Sequence, residues 1–393
     1  MEETYGICDP ATFFDEKNDE LNVILQERKL KDGSKSQRLE RVEKTWKASD
    51  VVPLIGMSKS WLIKNDPDVP KDANGHGMWN LERIETLREK AGTAYRRPAG
   101  STAMKLAYVK LKGGVGNSTA VVHTAHRAAM EGLRVLVFDL DPQGTATNNL
   151  LGYNGDEELN EEDLPTYAMT TEPDLLRDSV RPTYFHNVDL IPANGALRST
   201  ELELTAQLIN PEKFPMAEDE DGNPIPVQER VAYGLRKFEN EYDLIIFDCP
   251  PHISLNTMNG LVAANGMINL MKPSGADVNS YAMLMKSLAH FFDSVEAPLR
   301  YFRIMISQFR NDSGSLKEEN LLRSCFGDYV LKNRINYSAE IARATGVYNS
   351  IFSLLKPESS RDAYKAGLKT MEESLSELIE DMKVIWQEEA EGI

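Results

Sequence analysis

Cysteine is scarce in this chain of 393 residues: Cys8, Cys249 and Cys325 form an odd, scattered trio. A disulfide framework is therefore not expected, and the pattern fits a reducing cytoplasm. Histidine is almost as rare, and the six present do not meet the cysteines at metal-ligand spacings, which argues against structural zinc. No apolar run approaches the roughly 18 residues that suggest a membrane span. The opening "MEETYGICDPATFFDEKNDE" is acidic and lacks the basic-then-apolar order of a signal peptide. Together these absences point to the cytoplasm and away from membranes. Positive charge is short as well, and the net charge of −17 argues against coating DNA by bulk electrostatics.

What is present is a globular composition, 41% hydrophobic and 27% charged. The length is enough for two or three folded units. Charge is unevenly spread: residues 1–20 carry about −6, residues 21–100 about +5 and the remainder about −16. The locally basic stretch could serve nucleic acid or be an ordinary solvated surface. Three segments emerge: a polar, helical lead-in over 1–44, a compact unit over 45–98 ending in the linker-like "RRPAGS", and a long remainder over 99–393.

In the compact unit, "ASDVVPLIGMSKSWLIKND" has the spacing of a helix-turn-helix. Val51 and Ile55 would face the core, Gly56 would make the turn, and Met57 and Leu62 would lock the second helix. Ser58, Lys59, Ser60, Lys64 and Asn65 would then be available to a DNA major groove. The following "GHGMWNLERIETLREKAG" would supply a wing and a supporting helix. A plain helical hairpin gives the same spacing.

Beyond residue 99, short apolar runs alternate with helical ones, the signature of an α/β fold with a mainly parallel twisted sheet flanked by helices. The strand candidates are "KLAYVKL", "RVLVFDL", "VDLIPA", "DLIIFDC", "GMINLMKP" and "FRIMISQF". Two acidic stretches, "NGDEELNEEDLP" and "MAEDEDGNPIP", read as surface loops. The C-terminal "SSRDAYKAGLKTMEESLSELIEDMKVIWQ" reads as a helix.

Three of these segments converge on one chemistry. "KGGVGNST" follows a strand and opens a helix, the context of a phosphate loop. Gly113, Gly114 and Gly116 would let backbone N–H groups surround phosphate oxygens. Ser118 would place its hydroxyl on Mg²⁺, and Thr119 would contact the α-phosphate. "VLVFDLDPQG" ends a buried strand in Asp139 and Asp141, at the sheet edge where α/β proteins bind ligands. "YDLIIFDCPPH" ends in Asp248, the Walker B arrangement of a P-loop NTPase.

With these residues the chain resembles the deviant Walker A ATPases of the ParA/MinD group, whose loop reads K-G-G-x-x-K-[ST]. The helix-turn-helix spacing makes it similar to the larger, type Ia branch of the plasmid-partition ParA proteins, over about residues 45–393. The resemblance implies a P-loop NTPase domain with an N-terminal winged helix-turn-helix domain, binding ATP and Mg²⁺. It implies a nucleotide-sandwich homodimer, non-specific DNA binding in its ATP form, a nucleoid-associated location and a ParB-like partner that stimulates slow hydrolysis. It also implies repression of its own operon through the N-terminal unit. By position, Lys112 matches the signature lysine that reaches the partner's nucleotide, and Asp141 the acid that orients the attacking water. Gly113, Gly114, Val115, Gly116, Asn117, Ser118 and Thr119 match the nucleotide cradle, and Ser118, Asp139 and Asp248 the surroundings of the metal. Arg310, Lys332, Arg334 and Arg343 are candidates for non-specific DNA contact.

One position departs from the pattern. Asn117 stands where the family has a second lysine, so a full charge beside the β- and γ-phosphates is replaced by an amide dipole. Hydrolysis should suffer more than binding, which leaves a hydrolysis-deficient DNA-binding regulator as the alternative to a partition ATPase. Other deviant Walker enzymes fit less well. A nitrogenase-type iron protein needs cluster cysteines, and an amidotransferase-type synthetase gives no reason for a helix-turn-helix. Lys110 stands where the family usually has asparagine. It either restores the missing charge, pointing to the same side as Lys112 two residues along, or is a strand-end lysine in solvent.

Overall fold

A computed structural model describes Val23, residues 44–355 and residues 360–392; the lead-in expected over residues 1–44 falls almost wholly outside them. Strands β1 (Trp46–Lys47) and β2 (Met78–Trp79) pair antiparallel, with Trp46 opposite Trp79. Helices α1 (Ala48–Ile55) and α2 (Lys59–Asn65) lie between them, and α3 (Leu81–Ala91) follows. Gly56 ends α1 at a φ of 67°, a left-handed turn that a Cβ would strain. Ser58 caps α2, its hydroxyl accepting from the Trp61 N–H at 3.2 Å. Val51, Ile55 and Leu62 are completely buried, as the apolar spacing requires.

The six apolar runs read as strands all enter one sheet. Its members in chain order are β3 (Met104–Val109), β4 (Val135–Asp139), β5 (Arg181–Pro182), β6 (Val188–Ile191), β7 (Leu244–Asp248), β8 (Gly266–Met271) and β9 (Tyr301–Ile306). The spatial order is β5-β6-β4-β7-β3-β8-β9. All neighbours are parallel except the short edge strand β5, which runs antiparallel to β6. Parallel strands need crossover connections, and these are helical: α4 (Asn117–Met130), α5 (Thr145–Leu151), α6 (Leu197–Ile209), α7 (Arg230–Leu235), α8 (Leu255–Ala263) and α9 (Gly275–Ser294), with α10 (Ser313–Phe326) following the last strand. Two further helices close the chain, α11 (Ala339–Gly346) and α12 (Arg361–Glu391). The acidic stretch at 154–165, expected to be loop, instead holds two single helical turns, Gly155–Glu158 and Glu161–Asp163.

Period-two alternation divides the core. Leu106, Tyr108, Val135, Val137, Leu244 and Ile246 face α4 and α12, while Ala107, Val109, Leu136, Phe138, Ile245 and Phe247 face α7, α8 and α9. Each buried aliphatic side chain contributes roughly 2 kcal/mol, so both faces are firmly specified. The N-terminal helices join the first of these clusters. Arg88 of α3 anchors them: its guanidinium donates to the Leu54 carbonyl at 2.8 Å and to the Met130 carbonyl, at the far end of α4, at 2.7 Å. Glu85 adds bonds to His186 and Asn187 in the β5–β6 turn. No helix among the described residues is long and apolar enough to cross a membrane.

Candidate functional site

The register of three central strands creates the site. Asp139 on β4 lies opposite Asp248 on β7, which lies opposite Tyr108 on β3. Residues in register share a face, so two carboxylates meet at the C-terminal edge of the sheet, directly below the start of α4. The loop from Lys110 to Gly116 rises there, with Gly114 at φ 81° and Gly116 at φ 90°. A Cβ at Gly113 or Gly114 would meet nothing within 4 Å, so the loop faces open space. It is braced from below, where Gln308 donates to the Gly114 carbonyl at 2.7 Å and Ser307 to the Val115 carbonyl at 2.8 Å.

The carboxylates differ in what occupies them. Both oxygens of Asp139 are taken by protein donors: the Asp141 N–H on one, the Thr147 N–H and hydroxyl on the other. Burial, reinforced by Asp248, pushes its pKa up to about 8. Asp141 accepts from the Gln143 N–H and, at 3.3 Å, from the Lys110 ammonium. Asp248 accepts from the Asn117 amide at 2.9 Å, and its Oδ2 has no hydrogen-bond partner among the described residues. Its pKa too is raised, by burial first, with Lys110 and the nearby Ser118 hydroxyl opposing. Gly144 completes the turn after Asp141 at φ 59°, and a Cβ there would come within 2.7 Å of the Ala193 carbonyl.

Asn117 turns inward. Its two amide N–H groups go to Asp248 and to the Tyr108 carbonyl at 3.0 Å, and its own oxygen is buried without a partner among the described residues. Ser118 is buried beside it. An unpartnered carboxylate oxygen and an unpartnered amide oxygen, beneath a glycine loop open to solvent, suit a cation carried on a phosphate. Hard oxygen donors of this kind match Mg²⁺.

The two lysines of the loop separate. β3 ends at Val109, so period-two alternation does not continue to Lys112. Lys110 goes to Asp141, beyond β7, whereas Lys112 pairs at 2.8 Å with Asp277 on α9, on the β8 side. The expectation that both point one way is thus corrected, as is that of a solvent-exposed Lys110, which is only 8% exposed against 48% for Lys112. Burial works against the charge on Lys110, but the fields of Asp248 and Asp141 outweigh it and raise its pKa. Asp277 is held below the usual range by Lys112 and Ser274, against its own burial.

Asp277, Gln308, Ser307 and Thr147 were not singled out from sequence. The only signal at Asp277 was a helix-start pattern, Ser274 followed three residues later by an acid, which says nothing of Lys112. Below the loop, α4 is pinned by His123. Its Nδ1 lies 2.6 Å from the Thr119 carbonyl and its Nε2 accepts from the Ile351 N–H. Burial lowers its pKa to about 4, so the ring is neutral.

The proposed DNA-facing residues lie elsewhere. Ser58, Lys59, Ser60 and Lys64 are exposed and Asn65 half-buried. Ser58 is also the α2 cap, and the Asn65 amide donates to the Trp61 carbonyl. Of the basic residues nearer the C-terminus, Arg310, Lys332 and Arg343 are exposed. Arg334 is paired with Glu319 and lies over Phe309, and Arg343 is 3.6 Å from Glu340.

Comparison with known proteins places this geometry. A family model described as an AAA domain matches residues 103–300, half of the chain. The chain is 26% identical to the SopA protein of Escherichia coli strain K12, over 90% of this chain and 92% of that one. It is 24% identical to the chromosome-partitioning ATPase Soj of Treponema pallidum strain Nichols, over 70% of this chain and 96% of the relative. A solved structure described as a partition protein aligns with a TM-score of 0.62 at 16% identity, covering 94% of this chain and 99% of the other, a likeness of fold.

Proposed function

Because the chain belongs to the ParA-type partition ATPases of the ParA/MinD family, we propose that it is a DNA-segregation switch worked by MgATP. The observation that carries this reading is the free Asp248 oxygen beneath an open glycine loop. The N–H groups of Gly113, Gly114, Val115 and Gly116 would surround the phosphates, with Thr119 at the α-phosphate. Ser118 and Asp248 would hold Mg²⁺, which when bound adds positive charge between the phosphate oxygens. Asp139, saturated by Thr147 and the Asp141 N–H, would act by holding the turn that presents Asp141.

In the reaction, Asp141 orients water for in-line attack on the γ-phosphorus. A new oxygen–phosphorus bond forms, the bridging bond breaks, and ADP and phosphate leave. Lys112 would exchange Asp277 for the nucleotide of a second copy in a sandwich dimer. That dimer would bind DNA non-specifically at the nucleoid through exposed residues such as Arg310 and Lys332. A ParB-like protein would stimulate turnover. The unit at 45–98 would act as a winged helix-turn-helix domain and repress the operon, reading an operator with Ser58, Lys59, Ser60, Lys64 and Asn65 of the α2 region.

The test is MgATP hydrolysis by the whole chain with DNA and a ParB-like protein present. Turnover stimulated by both together is expected. The second reading, a regulator that binds nucleotide without hydrolysing it, is favoured by the inward commitment of both Asn117 N–H groups. Nucleotide binding without stimulated turnover, and rescue by Asn117→Lys, would select it.

A further inference from the structure

We propose that Lys110 is the phosphate-facing cation of this site, supplying from the end of β3 the charge that the loop lacks at Asn117. The inference rests on the nucleotide reading above and assigns a residue to it. Burial comes first: a lysine at a strand end normally keeps its ammonium in water, yet this one is 8% exposed. The ammonium can donate three hydrogen bonds, and among the described residues it makes one, the 3.3 Å contact with Asp141. A buried cation with two donors to spare thus stands beside a buried carboxylate oxygen and a buried amide oxygen with no partners, on Asp248 and Asn117. A phosphate and its metal would satisfy both sets at once.

Elimination points the same way. Asn117 has two N–H groups and both are spent on Tyr108 and Asp248, so it offers a phosphate no donor. Lys112 is held by Asp277 on the other side of β3. Among the described residues, Lys110 is the cation remaining at the carboxylate row. Compared with the family pattern, residue types at 110 and 117 are exchanged: lysine has taken the asparagine position and asparagine the lysine position. One lysine and one amide still face the row, with their places swapped.

The exchange can be reversed. Four proteins are compared: the parent, Lys110→Asn, Asn117→Lys and the double variant. Each is measured by calorimetric binding of MgATP and MgADP, by stimulated turnover and by thermal melting. Lys110→Asn should lose about 100-fold in turnover and bind MgATP at least about 10-fold more weakly, with a smaller loss for MgADP. The double variant should recover most of both. Because Lys110→Asn leaves three carboxylates without a buried cation, it can fail to fold; the double variant, whose formal charge equals the parent's, then carries the test. A Lys110→Asn protein that binds and turns over like the parent overturns the assignment, and so does a folded double variant as inert as the single. A parent that binds no MgATP overturns the nucleotide reading and the assignment with it.

Discussion

The carboxylate row and the N-terminal helix pair solve the problem of displaying polar groups in opposite ways. At the row, Asp139, Asp248 and Asn117 are buried; Asn117 and Asp248 orient each other across 131 residues, while Asp139 is held by Thr147 eight residues on. At α2, Lys59, Ser60 and Lys64 stand in water on a helix whose own cap and single buried leucine define it. Buried charges are expensive to strand and so are tied to one geometry. Exposed ones are adjustable and cost little to change. The row proposed to place phosphates is fixed by its burial, and the surface proposed for a long polyanion is not.

Substitutions can break this contrast, and the largest effect is expected in the row. Asp141→Asn removes the carboxylate bonded to Lys110 and leaves Asp248 as its nearest counter-charge, so it should cost about 1–3 kcal/mol in denaturant unfolding, together with most of the turnover. His123 comes next. Its folded pKa, near 4, lies below its ordinary 6.5, so only the unfolded chain takes up the proton between those values. The stabilisation is complete above pH 6.5 and is lost as pH falls toward 4, by on the order of 3 kcal/mol. A His123→Gln variant should show a flatter unfolding profile in that window. A steeper one would mean the ring is charged in the fold.

In the helix pair, Leu62→Ala removes the one fully buried side chain of α2 and should cost roughly 2–3 kcal/mol. The damage should be confined to residues 45–98, with hydrogen exchange rising there and not at the phosphate loop. The smallest stability change is expected from Lys59→Ala or Lys64→Ala, under about 0.5 kcal/mol. Each should nonetheless weaken operator binding and lower its salt slope by about 1. Unchanged DNA binding would reduce the helix pair to a plain hairpin and remove the contrast.

The sequence was most legible where a property repeats. Each strand of the parallel sheet announces itself by an apolar run, and the glycine loop and Asp248 by their place at strand ends. The phosphate loop was likewise visible because its neighbours in space are neighbours in the chain. What escaped is set by distant pairs. Asp277 lies 165 residues from the lysine it holds, and Gln308 lies 194 from the Gly114 carbonyl it braces. The burial of Lys110 was hidden for the same reason. Whether a strand-end lysine meets water or an acid depends on which strand lies beside it, and the order β4-β7-β3 is not written in β3.

The guanidinium of Arg88 has a mechanical consequence. Helix α4 has 14 residues, a rod of about 21 Å with the phosphate loop at one end and the Met130 carbonyl at the other. Arg88 clasps that carbonyl and the Leu54 carbonyl of α1 with one rigid, planar group. Any travel of the rod along its axis would reach the helix pair through this rivet and through the apolar cluster they share. Coupling of this kind runs equally in both directions: whatever grips α1 and α2 leans, through the same rivet, on the loop.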